Sequence, residues 1–128
     1  MVLVNGVALI VGGGSIRIVK IYDSGTLSDT NHSITANLSE SVSNFDKIGV
    51  WGATYWDSTR QWYKEFLATE FVNWFTTYSS STIDNANVSW GWSSNDDYID
   101  FIASGTTATS LKITCNKTKF FRIYGIKL

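Results

Sequence analysis

The chain has 128 residues and carries 10 Lys and Arg against 11 Asp and Glu, for a formal net charge of −1 at pH 7. This length fits one domain, and the near-neutral charge excludes the basic surface that nucleic-acid binding requires. Cys115 is the single cysteine, so intramolecular disulfides and cysteine metal cages are excluded as well. Charged residues make up 16% of the chain and aromatic residues 15%. This composition is typical of a neutral β protein rich in Trp and Tyr.

The N-terminal segment Met1–Val11 is almost wholly apolar and is followed by Gly12–Gly14. It lacks the basic start and cleavage site of a secretory signal, and it is too short to span or insert into a bilayer. We therefore expect residues 1–14 to form an apolar arm with a glycine linker, tethered to a single β-sandwich domain over residues 15–128. The alternative is a first strand of the same core. As an assembly arm it would present the apolar side chains of Val2, Leu3, Val4, Val7, Leu9 and Ile10.

Short alternating or β-branched runs predict a succession of strands along the chain. The pattern places Ile16 and Ile18 on one face of the first strand and predicts a half-buried face at 34–38. It also predicts that Ile48 and Val50 face inward and that residues 104–106 form a turn. The predicted strands lie at 16–22, 26–38, 45–52, 87–92, 98–103, 111–115 and 120–126. This arrangement predicts an all-β, antiparallel β-sandwich of the jelly-roll type.

The segment 62–78 fits two kinds of secondary structure. Its large apolar residues recur at helical spacing, which allows one amphipathic helix around residues 66–75. The same stretch contains Phe66, Val72 and Thr76, which suit strands. We favour strand here and leave the short helix open.

Catalytic and metal chemistry find little support in this sequence. His32 is the single histidine, and no nucleophile elbow accompanies it. A zinc site normally takes more His or Cys ligands than the chain contains. Gly12–Gly14 lacks the lysine of a phosphate-binding loop, and Asp96–Asp97 is better explained as a solvated turn than as a calcium site. We expect no catalytic residues, no metal and no cofactor.

Aromatic residues cluster between positions 51 and 63, where polar residues interleave them. Aromatic rings stack on the apolar faces of sugars, and the same residue types dominate protein–protein hot spots. Core packing is the expectation for Trp51, Trp90 and Trp92, whereas exposure is about as frequent as burial for Trp56 and Trp62. The candidate contacts to a glycan or a partner are Tyr55, Trp56, Asp57, Arg60, Gln61 and Trp62.

The successive segments Ile21–Leu27, Ser33–Val42 and Ser43–Val50, with the ending Phe121–Lys127, resemble small β domains of bacteriophage virion proteins. In that family such domains cap tail fibres, receptor-binding proteins and head fibres. The resemblance implies a jelly-roll-like trimer, and many such domains contact host-surface glycans. It covers Ile21–Val50 and Lys119–Lys127 and transfers no binding residues.

These observations favour a non-enzymatic structural protein on the surface of a phage virion. It would be a head fibre or decoration protein, or a tail-associated adhesin. The expected partners are capsid or tail proteins of the virion, further copies of the chain in a homotrimer, and a host-surface glycan. One alternative is a monomeric carbohydrate-binding module or lectin. Another is a small glycosidase that uses two of Glu40, Glu65 and Glu70.

Overall fold

The computed structural model describes residues 16–55, 59, 61–77 and 98–128, together with the backbone of Leu3–Val4 and Val7–Ala8. One α-helix, α1, spans Ala68–Thr77, and a short 3₁₀ helix spans Val42–Asn44. The strands are β1 (Leu3–Val4), β2 (Val7–Ala8), β3 (Arg17–Asp23), β4 (His32–Asn37), β5 (Lys47–Thr54), β6 (Gln61–Leu67), β7 (Tyr98–Thr107), β8 (Ser110–Asn116) and β9 (Thr118–Lys127). The predicted strand at 87–92, with Trp90 and Trp92, and the Asp96–Asp97 turn lie outside the described residues. The strand predicted over 26–38 is correct only for its second half, because β4 begins at His32.

Two antiparallel sheets form the body of the protein. One has four strands in the order β3-β9-β5-β6, and the other has three in the order β4-β8-β7. Apolar side chains from both sheets meet in one buried cluster, as expected for a sandwich. Its members include Ile21, Ile48, Val50, Phe101, Ile113 and Ile123. The prediction of an all-β antiparallel sandwich is confirmed, while the jelly-roll comparison stays a prediction.

Buried and exposed side chains alternate, as predicted, in the strands whose sequences alternate regularly between apolar and polar residues. In β8 the side chains of Leu111, Ile113 and Cys115 are buried, and the residues between them are partly exposed. In β5 Ile48 and Val50 belong to the core cluster, as predicted. Because side chains of a strand point alternately to opposite faces, these runs could be read directly from the sequence.

Strand β3 contributes Ile21 to the core cluster, and Val19 packs against that cluster. The prediction placed Ile16 and Ile18 on one face without assigning that face to the core, and both side chains are partly exposed. The pairing of β3 with β9 shifts register between Lys20 and Tyr22. Such a bulge inserts one residue into the strand and reverses which side chains face inward.

The turn predicted at 104–106 is also wrong, because β7 continues to Thr107. Its pairing with β8 shifts register between Ile102 and Thr107, and Gly105 has a φ of 81°. The Thr106 hydroxyl donates to the carbonyl of Ile102 at 2.6 Å and accepts from the Lys112 amide at 2.9 Å. The glycine therefore supports an irregularity within a strand, and the chain reverses after Thr107.

The ambiguous middle segment contains both elements in succession. Residues 61–67 form the predicted strand, but the preference for strand is wrong over Ala68–Thr77, where the helix lies. Phe71 is buried on α1, and its ring centre lies 5.9 Å from that of Phe66 and 5.5 Å from that of Phe101. The helix thus places its apolar face over the core.

The N-terminal segment forms a hairpin of its own. Leu3 pairs with Ala8 and Val4 with Val7, and this two-stranded sheet is separate from both sheets of the sandwich. Asn-Gly, the sequence between the paired residues, is a preferred two-residue hairpin connection. β2 contacts β3. The side chains of the predicted assembly arm lie outside the described residues, so their role stays a prediction.

Candidate functional site

Three of the predicted contact residues, Trp56, Asp57 and Arg60, lie outside the described residues. Of the other three, Trp62 is half-buried and packs against the core cluster. Its ring lies against Gly52, where an added Cβ would come 2.7 Å from the ring atom Cζ2. Trp62 therefore supports the β5–β6 hairpin from the core side of the sheet.

Tyr55 and Gln61 lie at the end of the same hairpin. The Tyr55 backbone N–H donates to the carbonyl of Lys117 at 2.8 Å, and the Lys119 ammonium lies 4.8 Å from the Tyr55 ring centre. The Gln61 side-chain oxygen accepts a hydrogen bond from the Trp51 indole N–H at 3.1 Å. Gln61 thus joins a neighbouring tryptophan that was not among the predicted contacts.

Strand pairing brings a second set of side chains together on the side of the four-stranded sheet that faces away from the core. Trp51 of β5 lies opposite Tyr63 of β6 and Arg122 of β9. We call this surface the outer face and define it by Trp51, Gln61, Tyr63, Glu65, Phe120 and Arg122. None of these residues belongs to the core cluster.

The position of Trp51 corrects the expectation of core packing. Its neighbour Val50 fills the core, so alternation directs Trp51 outward, where its ring meets that of Phe120 edge-on with centres 6.1 Å apart. The Arg122 guanidinium lies 5.2 Å from the Trp51 ring centre and 4.8 Å from that of Phe120. Arg122 Nε also lies 3.3 Å from a carboxylate oxygen of Asp23. These contacts hold a cation against two aromatic rings.

Tyr63 provides the most exposed aromatic ring of the outer face, with 40% of its surface accessible. It lies directly over Gly49, where an added Cβ would come within 2.9 Å of the ring atoms Cε1 and Cζ. Its hydroxyl donates to Glu65 at 2.7 Å, and Glu65 lies 3.4 Å from the Lys47 ammonium. Partial burial and the Glu65 carboxylate raise the pKa of Tyr63, so the phenol stays protonated. The ring is therefore held in one position against Gly49.

Paired charges surround these rings. Asp23 lies 3.0 Å from Lys20 as well as 3.3 Å from Arg122, and Glu65 pairs with Lys47. The pKa of Asp23 is lowered, first by the backbone N–H of Gly25 and then by its two cationic neighbours. Partly exposed pairs of this kind contribute about 0–1 kcal/mol each. Their main effect here is to fix side-chain positions and to keep the surface close to neutral.

The three glutamates considered for glycosidase chemistry lie on separate elements. Glu40 accepts hydrogen bonds from Arg17 at 3.1 Å and from Asn44 at 3.3 Å. The Arg17 bond is the main reason that the pKa of Glu40 is lowered. Glu65 is engaged on the outer face, and Glu70 lies in the first turn of α1. Within the described ranges no group of three or more His, Cys, Asp or Glu side chains is placed to hold a metal ion.

Comparison of the chain with protein-family models, with curated proteins and with solved structures found no match. In the part of the chain that the structure describes, no helix combines the length and the apolar character needed to cross a membrane.

Five members of the outer face were not among the predicted contacts: Trp51, Tyr63, Glu65, Phe120 and Arg122. Two signals pointed to them. Alternation from the inward Val50 places Trp51 outward. Gly49 has no side chain, so a neighbouring ring can lie over its backbone. Their assembly depends on which residues of β6 and β9 lie opposite β5, which the sequence does not state.

Proposed function

We propose that this chain is an adhesion domain displayed on the surface of a bacteriophage virion, where its outer face binds carbohydrate of the host surface. The observation that carries the proposal is the Tyr63 ring, which is held against Gly49 and is partly exposed. Glu65 and Lys47 lie at one side of this ring and the Trp51–Arg122 stack at the other. An aromatic platform with fixed polar neighbours is an arrangement suited to a sugar ring.

The physical reason lies in the two surfaces of a pyranose. Its C–H groups form an apolar face that packs on an aromatic ring, while its hydroxyls need hydrogen-bond partners once water is displaced. Glu65 offers carboxylate oxygens and Gln61 an amide beside the rings. Because the glycine and the ion pairs already hold these groups in place, little conformational entropy is lost on binding.

A shallow site of this kind binds weakly, and display in many copies compensates for that weakness. When several linked copies of the domain bind their sites at the same time, the apparent affinity rises by a factor of about 10²–10⁴. A virion supplies such copies. The resemblance over Ile21–Val50 to virion β domains supports this location and the trimeric assembly.

Binding can be tested with the domain immobilised in many copies on beads and incubated with purified bacterial cell walls. We expect Tyr63→Ala to abolish retention of the walls, because it removes the platform. Leu67→Ala is the matched control, since Leu67 is exposed on the same strand. Periodate treatment of the walls should also abolish retention, because it oxidises sugar diols. Retention that survives both Tyr63→Ala and periodate would refute a glycan site on the outer face.

Virion location needs a separate experiment. An antibody against the domain should label intact particles of the phage that encodes it, as seen by immunogold electron microscopy. Particles that carry no label, and contain no peptide of this chain by mass spectrometry, would refute display on the virion.

A monomeric carbohydrate-binding module would bind through the same face. The mass of the protein in solution distinguishes such a module from a trimeric virion domain. The N-terminal hairpin lies outside both sheets of the sandwich, so its removal tests whether assembly depends on the hairpin or on the body of the domain. We expect light scattering to give a trimer for the full chain and for a chain beginning at Ser15. A monomer in both cases would favour the module. Association of the full chain alone would identify the hairpin as the assembly element and favour capsid decoration.

A further inference from the structure

We infer that a groove between the 3₁₀ helix and α1 is a second binding site, which takes one neutral N-acetylated sugar unit. The groove has a volume of about 340 Å³. That volume equals about eleven water molecules at their share of the liquid, which is room for one monosaccharide unit. The inference stands independently of the outer face, because the two sites share no residue.

The floor of the groove is apolar and firmly held. Phe45, Ala68 and Val72 form it. The Phe45 ring lies against Gly125, at a position that an added Cβ would occupy, and the Arg17 guanidinium lies 5.3 Å from its centre. The Ala68 N–H donates to the carbonyl of Asp46 at 2.9 Å, which ties the start of α1 to the chain that precedes β5.

The rim is polar but carries no formal charge. Ser43, Thr69, Asn73 and Thr76 line it, and every side chain that lines the groove is neutral. The Thr76 hydroxyl donates back to the carbonyl of Val72 at 2.8 Å. The side-chain oxygen of Asn73 accepts from Thr77 at 3.5 Å, so its NH₂ group is the part that can donate to a ligand. The Ser43 and Thr69 hydroxyls can each donate or accept.

An acetamido group matches this combination of floor and rim. Its methyl group fits the apolar floor, its carbonyl can accept from the Asn73 amide, and its N–H can donate to a rim hydroxyl. A carboxylate or a phosphate would lose hydration without meeting a cation among the lining residues. A plain hexose could pack its C–H face on the floor, but it has no methyl group to fill the floor and no carbonyl to accept from the Asn73 amide. The groove therefore selects an N-acetylhexosamine over a plain hexose.

The test is a titration of the ¹⁵N-labelled full chain, followed by amide chemical shifts, with the methyl glycosides of N-acetylglucosamine and of glucose as probes. We expect N-acetylglucosamine to shift the amides of Ser43, Thr69 and Asn73, with a dissociation constant on the order of 1–10 mM. Asn73→Ala should weaken binding about three- to tenfold through the loss of one hydrogen bond. Thr69→Trp should block the groove. Glu70→Gln is the matched control, since Glu70 is exposed on α1 and does not line the groove.

Two results would overturn the inference. One is equal affinity for the two glycosides, and the other is the absence of shifts at the groove up to about 50 mM probe. If the second result is accompanied by shifts at Trp51 and Tyr63, it supports the outer face. Shifts at the groove alone would support this inference and remove the outer face as a site for that sugar.

Discussion

The two faces of the four-stranded sheet are formed by alternate residues of the same strands, but they differ in burial. On the inner face, Val50 and Ile123 pair across β5 and β9 and are almost completely buried. One residue along each strand, Trp51 and Arg122 pair on the outer face and stay partly accessible. A step of one residue along each strand therefore separates the side chains that form the core from those of the proposed binding surface. Substitutions on the two faces should therefore have separable effects.

The largest effect is expected from the inner face. Ile123→Ala should lower the free energy of unfolding by about 3 kcal/mol, because it leaves a cavity at a fully buried position. Chemical denaturation measures this loss when the variant and the unsubstituted protein have the same m-value. Its neighbour Arg122→Ala is the outer-face control and should cost no more than about 1 kcal/mol. Equal losses at the two positions would show that the faces do not differ in this way.

The buried thiol of Cys115 makes the core sensitive to alkaline pH. Burial raises its pKa from 9.0 to about 11. Between these values the unfolded chain has released the proton while the folded chain retains it, so stability falls as pH rises. The expected loss is on the order of 2–3 kcal/mol by about pH 11.

Cys115→Ala provides the comparison for this pH effect. The tyrosines and lysines titrate in both proteins, so the difference between their stability curves isolates the thiol. We expect the difference to be constant below pH 8 and to change in favour of Cys115→Ala above pH 9. Parallel curves throughout would contradict a raised thiol pKa.

Gly49→Ala sharpens the comparison, because it changes the outer face without touching the core. The new methyl group must displace the Tyr63 ring, at a cost of about 1 kcal/mol in stability. Retention of cell walls should fall as far as it does with Tyr63→Ala. In the Tyr63→Ala background, where no ring has to be displaced, the glycine substitution should cause no further loss of stability. An additive effect of the two substitutions would mean that Gly49 does not act through the Tyr63 ring.

The smallest effect on stability is expected for Glu65→Gln. The change removes the ion pair with Lys47 but keeps an oxygen that can accept from Tyr63, so stability should move by less than about 1 kcal/mol. Affinity for the glycan should fall about fivefold if the carboxylate accepts sugar hydroxyls. Thermal unfolding and the bead assay measure the two effects, with Glu70→Gln as the control. A large stability loss without a change in binding would make Glu65 a structural residue.

The candidate site was predictable only in part. Gln61 was correctly associated with the aromatic cluster, because polar and aromatic residues interleave at the end of the β5–β6 hairpin. The side of Trp51 followed from the inward Val50 beside it, although Trp51 was assigned to the core. The side of Trp62 was not predictable, since β6 carries apolar residues at both parities, and only the core contact of Phe66 decides which of them face inward.

The sequence by itself determined the all-β class and the inward residues of β4, β5 and β8, because period-two alternation is a local property of a strand. It also indicated that Cys115 is buried within such a run. Only the tertiary structure determined where the bulges in β3 and β7 lie and that β6 gives way to α1 at Ala68. It also determined that Trp51, Tyr63 and Arg122 lie side by side. Those features depend on register and on contacts between distant segments. Such contacts arise only when the sheets form and pack.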